Sequence, residues 1–209
     1  MNITTTHSTF ARSLLALALA ASAGLTQAAT TFHAEINTAA FAGGGWLDFQ
    51  FIPGSDGAVG ATATLSHFTG AFGSEFELTG GSGSLATGVN LFNVGIGGNL
   101  FHSLSLGGTF GFDISFGGDF AGTAGNVGTT FSVGLLGPDQ STYLGNPDGA
   151  LFKVDLMPMD GSLPASVTLT TLGGGISTVT AAVPEPASYA LLLGGLAVLG
   201  GLSRRRQAR

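Results

Sequence analysis

The chain has 209 residues, with 6 Lys and Arg against 12 Asp and Glu, a formal net charge of −6, 36 glycines and no cysteine. That length makes one principal domain, and the missing cysteines exclude disulfides, thiolate zinc sites and cysteine nucleophiles. Between Ala29 and Pro184 the only basic side chain is Lys153, set against eight Asp and three Glu, a balance that argues against nucleic acid or anionic lipid as a partner of this stretch.

At the N-terminus, Arg12 precedes the small and apolar run from Ser13 to Ala21, and the small residues Thr26-Gln27-Ala28-Ala29 follow. This is the three-part layout of a secretory signal peptide, so residues 1–28 are expected to form a signal helix that is cut after Ala28.

From there on, apolar residues recur with period two, which places alternate side chains on opposite faces of a strand. In chain order the alternation appears in Phe32-Ala34-Ile36, in Leu47-Phe49-Phe51, and in the small-residue run Ala58 to Phe68. It is clearest in Phe110, Phe112, Ile114 and Phe116, and returns in Phe131-Val133-Leu135, Phe152-Val154-Leu156 and Val167-Leu169. Turn signals punctuate these runs: Pro53 to Gly57, Thr79 to Ser84, Gly117-Gly118-Asp119, Gly137-Pro138-Asp139 and Asn146 to Gly149. The pattern predicts about eight to ten short strands in two packed antiparallel sheets, with no amphipathic helix. Residues 29–182 are therefore read as a Gly-rich, jelly-roll-like β-sandwich domain. Burial of phenylalanine, at about 25 cal/mol per Å² of apolar area, is the term that offsets the backbone entropy of so many glycines.

Residues 183–209 differ in kind. Pro184-Glu185-Pro186 precedes a nearly uncharged apolar stretch from Ala187 to Leu202, and Arg204, Arg205, Arg206 and Arg209 follow. The expectation is a transmembrane helix over 187–203 with a basic tail, 204–209, left in the cytoplasm because guanidinium groups resist passage through hydrocarbon. The sixteen apolar residues from Ala187 to Leu202 reach about 24 Å as a helix, short of a hydrocarbon core of roughly 30 Å, so the span would be marginal.

The tail resembles the PEP-CTERM sorting signal of Gram-negative bacteria, also known as the ice-binding protein C-terminal domain. Pro184, Glu185 and Pro186 correspond to the sorting motif, Ala187 to Leu202 to the apolar segment, and Arg204, Arg205 and Arg206 to the basic stop. The resemblance implies exosortase as a processing partner and a transient stay at the inner membrane. Display at the cell surface or release would follow, commonly with exopolysaccharide and biofilm matrix. The body in turn resembles a small Gly-rich β subfamily of such proteins, through Phe32 to Thr38, Leu47 to Phe51 with the Pro53-Gly54 turn, and Pro147 to Ala150. That likeness implies class and location only.

No enzyme is expected and no catalytic residues are assigned. His33, His67 and His102 each sit inside a strand-like run, and Glu75 with Glu77 reads as a solvated acidic edge. Gly43-Gly44-Gly45 lacks the Lys and Ser or Thr of a phosphate loop. No cofactor is expected, although loop residues Asp139, Asp148, Asp155 and Asp160 leave structural calcium, and a calcium-stabilised adhesin-like subunit, open. A carbohydrate-binding module is the other alternative, resting on Trp46 and Tyr143: exposure of both on one face favours binding, burial favours a structural matrix component.

Overall fold

The computed structural model describes residues 31–173 and 175–182. Twelve strands run through them: β1 (Thr31–Asn37), β2 (Gly44–Pro53), β3 (Ala61–Thr69), β4 (Phe72–Thr79), β5 (Gly81–Ser84), β6 (Gly88–Phe92), β7 (Gly98–Ser105), β8 (Thr109–Gly118), β9 (Thr129–Leu136), β10 (Ala150–Met157), β11 (Ser166–Thr171) and β12 (Ser177–Ala182). They form two six-stranded sheets, ordered β12-β1-β8-β3-β6-β5 and β11-β10-β9-β2-β7-β4, and every strand pair is antiparallel.

The core lies between the sheets and is built by the period-two alternation. Phe32, Ala34 and Ile36 of β1 and Phe110, Phe112, Ile114 and Phe116 of β8 point inward from the first sheet. Leu47, Phe49 and Phe51 of β2, with Phe131, Val133 and Leu135 of β9, point inward from the second. Rings from the two layers interlock: Phe51 lies 6.2 Å from Phe116, and Phe116 meets Phe131 edge to face at 5.7 Å. Edge-to-face pairs add about 0.5–1.5 kcal/mol beyond their buried area.

Three expectations are corrected. The strand number is twelve rather than eight to ten. The stretch Thr79 to Ser84, expected as a turn, contains β5, which pairs with β6 at the edge of the first sheet. Side-chain pattern cannot announce such a strand, because Gly83, at φ +107°, has its would-be Cβ driven into the Gly88 carbonyl.

The third correction concerns the helices expected to flank the sandwich. Among the described residues the only helical element is a single 3-10 turn, Asp119–Ala121, and no helix there is long and apolar enough to cross a membrane. The fold class is therefore two antiparallel β-sheets, without a signal or transmembrane helix among the described residues. The physical reason within this span is the alternation itself, which puts polar groups at every second position and leaves no continuous apolar run of helical length. The segments on which the two helices were placed, 1–28 and 187–203, lie outside the described residues, as do Pro184, Glu185, Pro186, Arg204, Arg205 and Arg206.

Topology fixes where the chain ends meet the domain. β1 and β12 are neighbours, and Thr31 is the register partner of Ala182. The N-terminal segment thus enters, and the C-terminal tail leaves, at one end of the sandwich, called here the terminal pole. The connections 54–60, 93–97, 119–128 and 158–165 lie at the same pole, and the hairpin 137–149 lies at the opposite one.

Candidate functional site

The outer face of the second sheet gathers the polar and aromatic chemistry. Because Leu47, Phe49 and Phe51 point inward, Trp46, Asp48 and Gln50 of β2 must point outward. Asp48 is flanked in register by Phe101 of β7 and Gly134 of β9. Its carboxylate accepts from Gln50 Nε2 at 2.6 Å and from Asn99 Nδ2 at 2.5 Å, so two amides hold it in one orientation. Trp46 stacks on Phe101 with ring centroids 4.7 Å apart and planes 7° from parallel.

Gly134 keeps this surface concave. A Cβ there would stand 3.3 Å from Tyr143 Cε1, so the missing side chain lets the tyrosine ring lie across the strand. The hairpin after β9 delivers that ring: Gly137 N–H donates to Thr142 O at 2.9 Å and Leu144 N–H to Leu135 O at 2.8 Å. Asp139 ties the hairpin tip, accepting from Thr142 Oγ1 at 2.6 Å, Thr142 N–H at 3.0 Å and Ser141 N–H at 3.2 Å. The Thr142 hydroxyl, followed by these backbone donors, holds the Asp139 carboxyl well below the usual carboxylate range. The result is a cleft of about 230 Å³ lined by Asp48, Gln50, Ser132, Gly134, Tyr143 and Asp148 among others. Tyr143 is 40% exposed and Trp46 half-buried, and both stand on this one sheet's outer side.

The histidines fall into two settings. His102 is buried, 5.4 Å from the Phe72 ring and 5.5 Å from the Phe76 ring, and its Nδ1 donates to Ser103 O at 3.0 Å. His33 and His67 meet on the outer face of the first sheet, where their Nδ1 atoms bind the two oxygens of Asp113 at 2.6 and 2.8 Å. Partial desolvation pushes the Asp113 carboxyl up, but hydrogen bonds and charge from both imidazoles outweigh it and hold the carboxyl below its ordinary value. Ser66 Oγ approaches the same His67 nitrogen at 3.4 Å. A relay between serine and carboxylate needs both ring nitrogens, so this trio lacks the geometry of a hydrolytic triad. The sequence marked His33 and His67 but not their meeting at Asp113, which depends on strand register.

The aspartates considered for calcium are spread apart. Asp139 is engaged within its own hairpin, and Asp155 takes Lys153 Nζ at 3.1 Å and the Thr130 hydroxyl at 2.7 Å. Asp148 lies in the hairpin at one pole and Asp160 in the 158–165 connection at the other. No group of three or more His, Asp or Glu suited to a metal ion occurs among the described residues. Glu75 and Glu77 are exposed on β4, the outermost strand of the second sheet.

Comparison with known proteins places one feature. Residues 182–207 match the PEP-CTERM protein-sorting motif, so such a motif is present near the C-terminus, beginning at the last residue of β12. This motif is a sorting tag without catalytic function. No curated protein and no solved structure matches the chain.

Proposed function

We propose that the chain is an exosortase substrate, an exported precursor whose β body acts without catalysis at the cell surface or in extracellular polymer. The PEP-CTERM motif supports export, exosortase processing and a surface-associated role, and it is the observation that carries this reading. In it, residues 1–28 are removed as a signal peptide, residues 29–182 form the working domain, and residues 183–209 form the sorting signal. Pro184, Glu185 and Pro186 present an extended, donor-poor segment to the protease, and Arg204, Arg205 and Arg206 are its basic stop. The edge position of β12 favours cleavage without damage to the fold, since a cut beyond Ala182 leaves every β12 to β1 pair intact. Intact-mass measurement of the mature protein tests the proposal: losses near residues 28 and 184 support it, and a retained arginine tail overturns it.

A second reading, that the body binds glycan, is favoured by the shared outer face of Trp46 and Tyr143. Stacked aromatic surface beside an oriented carboxylate and amides suits the apolar faces and hydroxyl edges of a sugar ring. At about 230 Å³ the cleft suits one or two sugar residues of a neutral glycan rather than a long chain. Trp46 is the single tryptophan, so its emission reports binding directly. Saturable quenching by neutral oligosaccharides, lost in Asp48→Ala, supports this reading, and unchanged emission across a glycan panel removes it.

A further inference from the structure

Nine large hydrophobic side chains are exposed among the described residues, and they are not scattered. Six of them, Ile52, Phe92, Val94, Ile96, Met157 and Leu163, lie at or beside the terminal pole. Singly exposed apolar residues are ordinary, but a group at one end of a monomer calls for a partner. The group is led by the 93–97 connection, where Val94 is 74% and Ile96 82% exposed.

That tip is firmly built. Gly97 N–H donates to Val94 O at 3.1 Å, closing the turn. Below it Asn93, only 4% exposed, accepts from Ala61 N–H at 2.7 Å and donates to Val59 O at 2.8 Å and Thr129 Oγ1 at 2.7 Å. A buried amide with all of these bonds made anchors the loop to both sheets, so Val94 and Ile96 are held outward by the fold.

We infer that the terminal pole is a docking surface for the neutral lipid interface of a bilayer, against which Val94, Ile96 and their apolar neighbours settle while the sorting motif is presented. The position of the chain ends argues for lipid over other occupants. Ala182 leaves at this pole, and the apolar run begins at Ala187, so extended chain of about 3.6 Å per residue keeps its start within about 18 Å of the pole. Charge selects the lipid: Asp56, Asp119 and Asp160 are exposed in the pole's loops, which contain no Lys or Arg, so anionic headgroups are disfavoured. The inference rests on the export reading only for the choice of membrane. Its test requires no exosortase, so it fails or stands apart from that reading.

The cysteine-free chain allows a single environment-sensitive probe to be placed at will. Full-length protein is reconstituted with phosphatidylcholine vesicles carrying bromolipids, labelled with nitrobenzoxadiazole at Val94→Cys or, on the exposed loop at the opposite pole, at Ala40→Cys. The expected result is blue-shifted, bromolipid-quenched emission at position 94 and water-like emission at position 40. Adding Ile96→Ser and Leu163→Ser to the Val94→Cys background should reduce the quenched fraction about tenfold, and doping with phosphatidylglycerol should weaken quenching. Emission at position 94 that is water-like, or as unquenched as at position 40, overturns the inference. So does a blue shift without bromolipid quenching, which would assign the pole to a second copy if it vanished on dilution and to the chain's own tail if it did not.

Discussion

Phe49 and Phe112 meet edge to face at 5.0 Å, one ring from each sheet, and neither has measurable exposure. Phe112 also lies against Phe68 and Phe152, so one side chain joins strands of both layers. Phe112→Ala is expected to lower unfolding free energy by about 3–5 kcal/mol, because the surrounding rings cannot collapse fully into the space. Urea unfolding followed by Trp46 emission measures it. A loss below about 1 kcal/mol would mean that the two sheets are not held by this aromatic seam.

Asp113 ties His33 and His67 across three neighbouring strands. Its folded-state pKa lies below the ordinary carboxylate value, so the stabilisation is present above that ordinary value and is lost as pH falls toward the depressed one. Asp113→Asn should therefore lower thermal stability at neutral pH, by no more than about 1 kcal/mol for a partly exposed cluster, and the difference from the parent should vanish in strong acid. Paired melting curves across pH decide it. A deficit that is constant with pH would assign Asp113 a role other than its charge.

Gly134 is the floor beneath Tyr143. Gly134→Val adds bulk where even a Cβ stands 3.3 Å from the ring, so the tyrosine must be displaced at a cost of about 1–3 kcal/mol. If the cleft binds glycan, quenching of Trp46 by sugar should disappear in this variant while the β-sheet circular dichroism is retained. Sugar quenching that survives would place binding elsewhere.

The β4 edge carries exposed Glu75 and Glu77, and the pairing of β4 with β7 shifts register between Phe72 and Phe76. Charge and irregularity together discourage a second chain from adding to that edge. Glu75→Val with Glu77→Val should promote concentration-dependent association, read by light scattering or sedimentation at constant pH. A strictly monomeric double variant, from a monomeric parent, would show that the irregularity alone suffices.

Strand β8 was legible because four large apolar side chains alternate with small and polar ones. Strand β7 was not, and its inversion explains why: His102 points into the core while Phe101 lies on the outer face under Trp46. Alternation by polarity fails when a histidine is enclosed by aromatic rings and a phenylalanine serves the surface. Trp46 and Tyr143 could be singled out from sequence, yet their neighbours Asn99 and Gly134 could not. Which residue of β7 or β9 stands opposite Asp48 is set by register, and a shift of one residue would reverse every face. The link between Asp113 and the two histidines was hidden for the same reason.

The pairing of β1 with β12 joins the first strand of the body to its last. Closing so long a chain segment is slow relative to forming a local hairpin. Until residues 177–182 have been synthesised, β1 has a neighbour on the β8 side alone, and the first sheet remains one strand short. Completion of the domain is thus timed to the emergence of residues 177–182, and a polypeptide interrupted upstream of them leaves β1 in place of β12 as the outermost strand of the sheet.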